Sequence, residues 1–233
     1  MITKKNKEKY ESLLSIFLNN AEREEFNEIV YPFFLHEEFQ KRMSNDFLHH
    51  SDITLGEHII EDALITYLLS KKKDNIDTSL AVKIAMMHDL YEIPWQNNQE
   101  GIVKHFSNKH GFRHPIEAVI NAITWYPEMF NEKDAEILID GIIHHMYPLP
   151  VRVFNNKDME LKNSDKLEKI DKRFMDMIIN SSNRKKIGNF SFSRSKYQEG
   201  RIMSKADKKV SIGQIKNFSS AKALLTGKNK SIK

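Results

Sequence analysis

The 233-residue chain contains no cysteine. This excludes disulfides and thiolate metal sites and leaves His, Asp and Glu to hold any metal. No apolar run approaches the roughly 18 residues of a membrane span. The N-terminus, Met1-Ile2-Thr3-Lys4-Lys5, lacks the apolar segment of a signal peptide. These absences lead us to expect a cytoplasmic protein with no membrane partner. No convincing run of strictly alternating residues appears, which argues against an extensive sheet. There is neither an internal repeat nor a glycine-rich phosphate loop.

Acidic residues are scarce in one region only. Residues 183–233 hold fourteen Lys and Arg against Glu199 and Asp207, a net of +12, so residues 1–182 carry −8 of a total of +4. An acidic body is a poor general binder of nucleic acid, and the basic segment lacks a recognisable reader motif. Nucleic acid therefore enters only as an alternative partner.

What is present is helical periodicity. Tyr10, Leu13, Leu14, Ile16, Phe17 and Leu18 recur near a 3.6-residue period, followed by Phe26, Ile29, Val30 and Phe33-Phe34-Leu35. Thr54 is an N-cap with Glu57 three places on, and Ile59, Ile60, Ala63, Leu64, Tyr67 and Leu68 form the stripe of the helix they open. Asp77 or Thr78 caps the next helix, which runs through Ile84-Ala85-Met86-Met87-His88-Asp89 and must stop before Pro94. Residues 95–109 read as a polar loop over a site. Pro115 is expected as the first residue of a helix to 125, with His114 at its N-cap boundary. Further helices are expected over 132–145 and 161–179. Beyond 180 the composition predicts a basic, partly ordered appendage with a short helix near 219–226. The expected division is an N-terminal helical segment (1–44), a core domain (45–180) and the basic tail (181–233).

Histidine is abundant, with ten residues, six of them between His88 and His145. His88-Asp89 presents a nitrogen and an anionic oxygen ligand side by side, which suits a divalent cation. In chain order the ligand candidates are His58, His88, Asp89, His114, His145 and Asp165. Apart from the adjacent pair, each comes from an end of a different expected helix, and converging helices build the metal sites of bundles. His58, His88, Asp89 and Asp165 suffice for one cation with open positions. His114 and His145, with Asp89 as the bridge, suit a second. Such a pair of ions acidifies water and neutralises phosphoryl oxygens, so phosphate-ester hydrolysis is the expected reaction. His145 is taken as ligand ahead of His144 because it directly precedes Met146-Tyr147-Pro148. His110, Arg113, His144 and Lys166 are assigned to the substrate, with Arg113 and Lys166 joining Asp89 as catalytic groups that steady developing charge. His36, His49, His50 and His105 read as structural or solvated, and Trp95 and Trp125 as core or pocket wall.

The order of a His, a His-Asp pair and a distant Asp on helices resembles the HD-domain superfamily of metal-dependent phosphohydrolases. His114 and His145 are similar to the additional ligands of its binuclear members. Gly56-Glu57-His58, His110-Gly111-Phe112-Arg113-His114-Pro115, His145-Met146-Tyr147-Pro148-Leu149 and Ser164-Asp165-Lys166 resemble phrases of a group of small bacterial HD-domain hydrolases. The chain departs from that group after Asp89. Leu90-Tyr91-Glu92-Ile93-Pro94-Trp95 stands where the group is richer in aromatics and has an Asp before the Trp. No Gly-Tyr-Pro follows His144-His145, unlike cyclic di-GMP phosphodiesterases of the HD-GYP type, and no Arg-Trp pair near the N-terminus resembles deoxynucleotidase members.

The resemblance implies an all-α HD-domain bundle that cleaves a phosphate ester of a nucleotide or a related small phosphorylated metabolite. It implies one or two divalent ions drawn from Mn, Fe, Co, Ni and Zn. Two other readings share the same residues. One is a nucleotide-sensing binding module that uses the pocket, and the other a nucleic-acid-directed phosphodiesterase that uses the basic tail.

Overall fold

Side-chain caps set where several of the helices begin. The computed structural model describes residues 4–50, 53–93, 109–154 and 164–215. Within them, α1 (Lys4–Phe17) leads into α2 (Asn20–Leu35), where the Asn19 side chain accepts from the Glu22 N–H at 3.0 Å and Glu22 accepts from the Asn19 N–H at 2.9 Å. After α3 (Glu37–Arg42), β1 (Leu48–His50) and β2 (Ile53–Thr54) pair antiparallel. The expected cap at Thr54 forms, with Glu57 completing the box, and opens α4 (Leu55–Ser70). Asp77 accepts from the Leu80 N–H at 2.9 Å and opens α5 (Thr78–Met87). Most side chains of α4 and α5 are buried, which makes this pair the centre of the molecule.

The next helix begins earlier than Pro115 suggests. α6 (His110–Trp125) carries Pro115 inside it, so His114 sits within the helix rather than at its boundary. Proline removes the N–H that would meet the carbonyl of Gly111, four residues back. Gly111 is exposed, so water can take that carbonyl and the proline is tolerated. α7 (Ala135–Ile143) follows, then β3 (Val151–Arg152). The helix expected over 161–179 is instead two described pieces, α8 (Ser164–Leu167) and α9 (Lys172–Ser182), the second opened by Asp171 accepting from the Arg173 N–H at 2.8 Å. β4 (Lys186–Ile187) and β5 (Phe190–Ser191) join β3 in a small antiparallel sheet of order β3-β5-β4. α10 (Gln198–Ile215) closes the described chain. The body is all-α apart from these short strands.

The part of the expected tail that is described packs into the body. α10 lies against α4, α5 and α7, burying Ile202, Met203, Ala206 and Val210. Two glycines allow the close approach to α7. A Cβ on Gly200 would stand 2.7 Å from the Gly141 Cα and 2.5 Å from the Ser195 Oγ. Buried Asp140 of α7 fastens the segment between α9 and α10. It accepts from Ser181 Oγ at 2.9 Å, Ser195 Oγ at 2.8 Å and the Lys196 N–H at 2.7 Å, and pairs with Arg184. Composition hid this packing because the Lys and Arg of residues 183–215 occupy the other faces. The expected loop at 95–109, apart from Lys109, and the short helix near 219–226 lie outside the described residues.

Candidate metal centre

Five helices deliver the polar side chains that the core would otherwise exclude. His58 and Asp62 are one turn apart on α4, hence on one face, and both are fully buried. His88 is the C-cap of α5, with Asp89 beside it. The turn that carries them is pinned from outside: Asn121 Nδ2 donates to the Leu90 carbonyl at 2.7 Å, and buried Arg42 donates to that of Tyr91. His114 comes from α6, His145 from just beyond α7, and Asp207 from the middle of α10.

These groups converge on two sides of Asp89. His58 Nε2 lies 3.2 Å from Asp62 Oδ2, 3.7 Å from Asp89 Oδ2 and 3.8 Å from Asp207 Oδ1. His88 Nε2 lies 3.3 Å from Asp62 Oδ2 and 3.6 Å from Asp89 Oδ2. On the other side, Asp89 Oδ1 is 3.2 Å from His114 Nε2 and 3.5 Å from His145 Nε2. Ligands about 2.1 Å from a common ion lie about 3.4 Å apart in a tetrahedron and about 3.0 Å apart in an octahedron. The observed separations fall around those edge lengths. His58, Asp62, His88 and Asp207 each offer an atom within 4.8 Å of the others, as do His88, Asp89 and His145, and as do His49, His58 and Asp89.

The histidine tautomers fit the same use. The Nδ1 atoms of His88, His114 and His145 stand 2.7, 3.2 and 2.7 Å from the carbonyls of Ala85, His110 and Ile142. A carbonyl only accepts, so Nδ1 carries a proton, and in the neutral ring Nε2, on the side of Asp89, is left as the ligand atom. Backbone carbonyls commonly orient metal-binding histidines in this way. His88 Nε2, both oxygens of Asp62 and Asp89 Oδ1 are buried with no hydrogen-bond partner. Such atoms are costly unless something satisfies them. Among the described residues no Lys or Arg forms an ion pair with Asp62, Asp89 or Asp207. Three buried carboxylates among imidazole nitrogens are a donor set for a divalent cation, and these groups can hold one.

Without a cation, protons take its place. Burial works against charge on His88, yet Asp89, Asp62 and Asp207 outweigh it and push His88 up to about 10. Burial raises Asp62 to about 6 against the pull of His58 and His88. Asp89 is the reverse, since His88, His114 and His145 overcome burial and hold it well below the usual carboxylate range. Burial, reinforced by His88 and His114, keeps His145 neutral.

His58, His88, Asp89, His114 and His145 are thus brought together. Asp165 lies in α8, but its side chain is outside the described residues. His144 faces away from the centre, with Nε2 3.1 Å from the Ser181 carbonyl and 3.2 Å from its Oγ, so His145 is the member of the pair at the centre. His110 stacks on His114 with ring centroids 5.2 Å apart, and burial pushes it down to about 3. Arg113 is exposed on α6. Lys166 pairs with Glu92, donates to Asn121 Oδ1 at 3.0 Å and sits over the Trp125 ring.

Sequence reasoning missed three members. Asp62 carried a signal, a carboxylate one turn from His58 inside an apolar stripe. Asp207 carried a weaker one, an acid in helical register with Met203, Ala206 and Val210. His49, read as structural or solvated, packs tilted against His58 with ring centroids 4.1 Å apart, its Nδ1 2.9 Å from Tyr91 Oη and its Nε2 3.9 Å from Asp89 Oδ2. Nothing in its local sequence marked it. No described helix is long and apolar enough to cross a membrane. Comparison with family models, curated proteins and solved structures finds no match.

Proposed function

We propose that the protein is a metal-dependent phosphohydrolase that uses water to cleave a phosphate ester of a nucleotide or a related small phosphorylated metabolite. The observation that carries this reading is the position of Asp89. One of its oxygens faces His58 and His88, the other His114 and His145. A carboxylate between two imidazole sets is suited to serve two ions at once, as a two-ion phosphoryl-transfer site does.

His58, His88, Asp89 and one or both of Asp62 and Asp207 would hold the first ion. His114, His145 and the second oxygen of Asp89 would hold the other. Mn, Fe, Co, Ni and Zn are all compatible with mixed imidazole and carboxylate ligands. When bound, such ions supply Lewis acidity, lowering the pKa of water and neutralising phosphoryl oxygens. The chain's own contribution is to fix geometry. The carbonyls of Ala85, His110 and Ile142 hold the ring orientations, and α4, α5 and α10 exclude solvent from behind. Arg113, exposed one residue before His114, is placed in this reading to bind the phosphate.

The test is metal analysis of the purified protein, followed by phosphate release from a panel of nucleotides, cyclic nucleotides and sugar phosphates with each ion added. Asp89→Ala should lose metal and hydrolysis together. An unaltered rate in that variant sinks the mechanism. Metal-free protein that binds nucleotide without turnover would support the binding-module reading instead.

A further inference from the structure

α10 has two faces with different chemistry. Ile202, Met203, Ala206, Asp207 and Val210 turn inward, and Asp207 reaches the metal centre. Arg201, Lys205, Lys208, Lys209 and Ile212 lie on the other side, at helical spacings of four, three, one and three. That outer face forms one wall of an open cavity of about 460 Å³, within the roughly 300–1,000 Å³ of small-ligand sites. Arg194, His144, Tyr147 and Pro148 also line it.

The lining contains five Lys or Arg and no acidic side chain. None of the metal-centre residues lines it, so it is a separate place in the fold. The cations divide by what they already do. Arg201 donates from Nε to the Ser195 carbonyl at 2.8 Å and from Nη2 to the Lys196 carbonyl at 2.8 Å, which shapes the rim. Lys208 Nζ donates to Ser204 Oγ at 2.6 Å and to its carbonyl at 3.1 Å. Arg194, Lys205 and Lys209 have no acidic partner within ion-pair distance among the described residues. Like charges held around one concavity repel one another unless an anion neutralises them. Several cations suit several phosphates, because each ammonium or guanidinium makes charge-assisted bonds to phosphate oxygens. The apolar part of the lining argues for more than a bare anion. Tyr147 and Ile212 are large side chains left partly exposed, and with Pro148 they give a planar ring a surface to lie on.

We infer that this cavity is a binding site for a nucleoside polyphosphate, with its phosphates on Arg194, Lys205, Lys208 and Lys209 and its base against Tyr147, Pro148 and Ile212. A concave pocket with an apolar wall fits a small molecule better than a nucleic acid backbone, which needs a continuous basic track. The inference stands apart from the hydrolase reading, since it uses none of the metal ligands.

The test is equilibrium titration of the full-length, metal-chelated protein with ATP, inorganic tripolyphosphate and a 20-nucleotide single-stranded RNA. Chelation removes any contribution of bound ions and of turnover, so failure here leaves the hydrolase reading untouched. ATP should bind with one-to-one stoichiometry. The exposed or half-buried triple change Arg194→Gln, Lys205→Gln, Lys209→Gln should weaken it at least about tenfold, the loss expected when charge-assisted contacts go. Tyr147→Ala should weaken ATP more than tripolyphosphate. ATP should also protect Lys205 and Lys209 of the unaltered protein from acylation, a readout that holds even if the triple variant folds poorly. Absence of that protection, ATP affinity indifferent to the triple change in a folded variant, or RNA binding without ATP binding would each overturn the inference.

Discussion

His114 and His145 meet nitrogen to nitrogen, with their Nε2 atoms 3.0 Å apart. Each ring has its Nδ1 directed to a backbone carbonyl. With both rings neutral, two lone pairs would face each other in a buried site, an arrangement that repels unless a cation or a proton lies between them. The pair shares Asp89 Oδ1 as its nearest carboxylate oxygen.

That geometry separates His145 from its neighbour. Replacing His114 or His145 by Ala should lower bound metal by up to one equivalent per chain, measured by atomic emission on protein loaded with Mn or Zn. His144→Ala should leave the metal content unchanged, because His144 is turned to Ser181. Equal losses in all three variants would contradict the assignment.

Asp207 and Asp165 compete for one role. Asp207 is buried within reach of His58, so Asp207→Asn should weaken metal binding by about 10–100-fold, the range seen when groups that order a metal site are removed. The same change at Asp165 is the comparison. A larger loss from Asp165→Asn than from Asp207→Asn would return the distant carboxylate to the place the sequence suggested.

Gly200 is where α10 can be pried from α7. An added methyl would stand 2.7 Å from the Gly141 Cα, a backbone atom that cannot swing aside. Gly200→Ala should cost about 1–3 kcal/mol, the usual penalty for overpacking. Urea denaturation reads the loss directly. Because α10 also carries Asp207, metal affinity should fall in parallel, and an unchanged midpoint would mean that the helices do not approach this closely.

The metal-free protein should lose stability as pH rises from about 6.5 to about 9. His88 is pushed up to about 10 by Asp89, Asp62 and Asp207 despite burial. A folded-state pKa above the unfolded value means that the native state binds the extra proton. Its stabilising contribution is complete below about 6.5 and is lost as pH climbs toward the folded value. Thermal melts of chelated protein should show the midpoint falling across this range, and added metal should restore it, since a cation takes over from the proton. A midpoint that stays level or rises would refute the proposed charge balance.

The helices most legible in the sequence were those with a local chemical signal at their start. Thr54 with Glu57, and Asp77, capped α4 and α5 as expected because capping depends on residues three apart in one chain. His88-Asp89, His58, His114 and His145 were legible as candidate ligands by residue type and order, and the fold brings them together. Pro115 misled, since its fit inside α6 depends on the exposure of Gly111, which no local rule reports.

By itself the sequence determined the helical class, the exclusion of sulfur ligands and the histidine-rich ligand set, because periodicity, capping and donor chemistry are properties of residue types and short spacings. Only the tertiary structure decided which carboxylates join that set. Asp62 became a member because α4 is buried on nearly all sides, and Asp207 because a basic segment hides an apolar face that docks on α4, α5 and α7. Burial and close approach arise between elements far apart in the chain, and that long-range packing turns a carboxylate from a solvated charge into a candidate ligand.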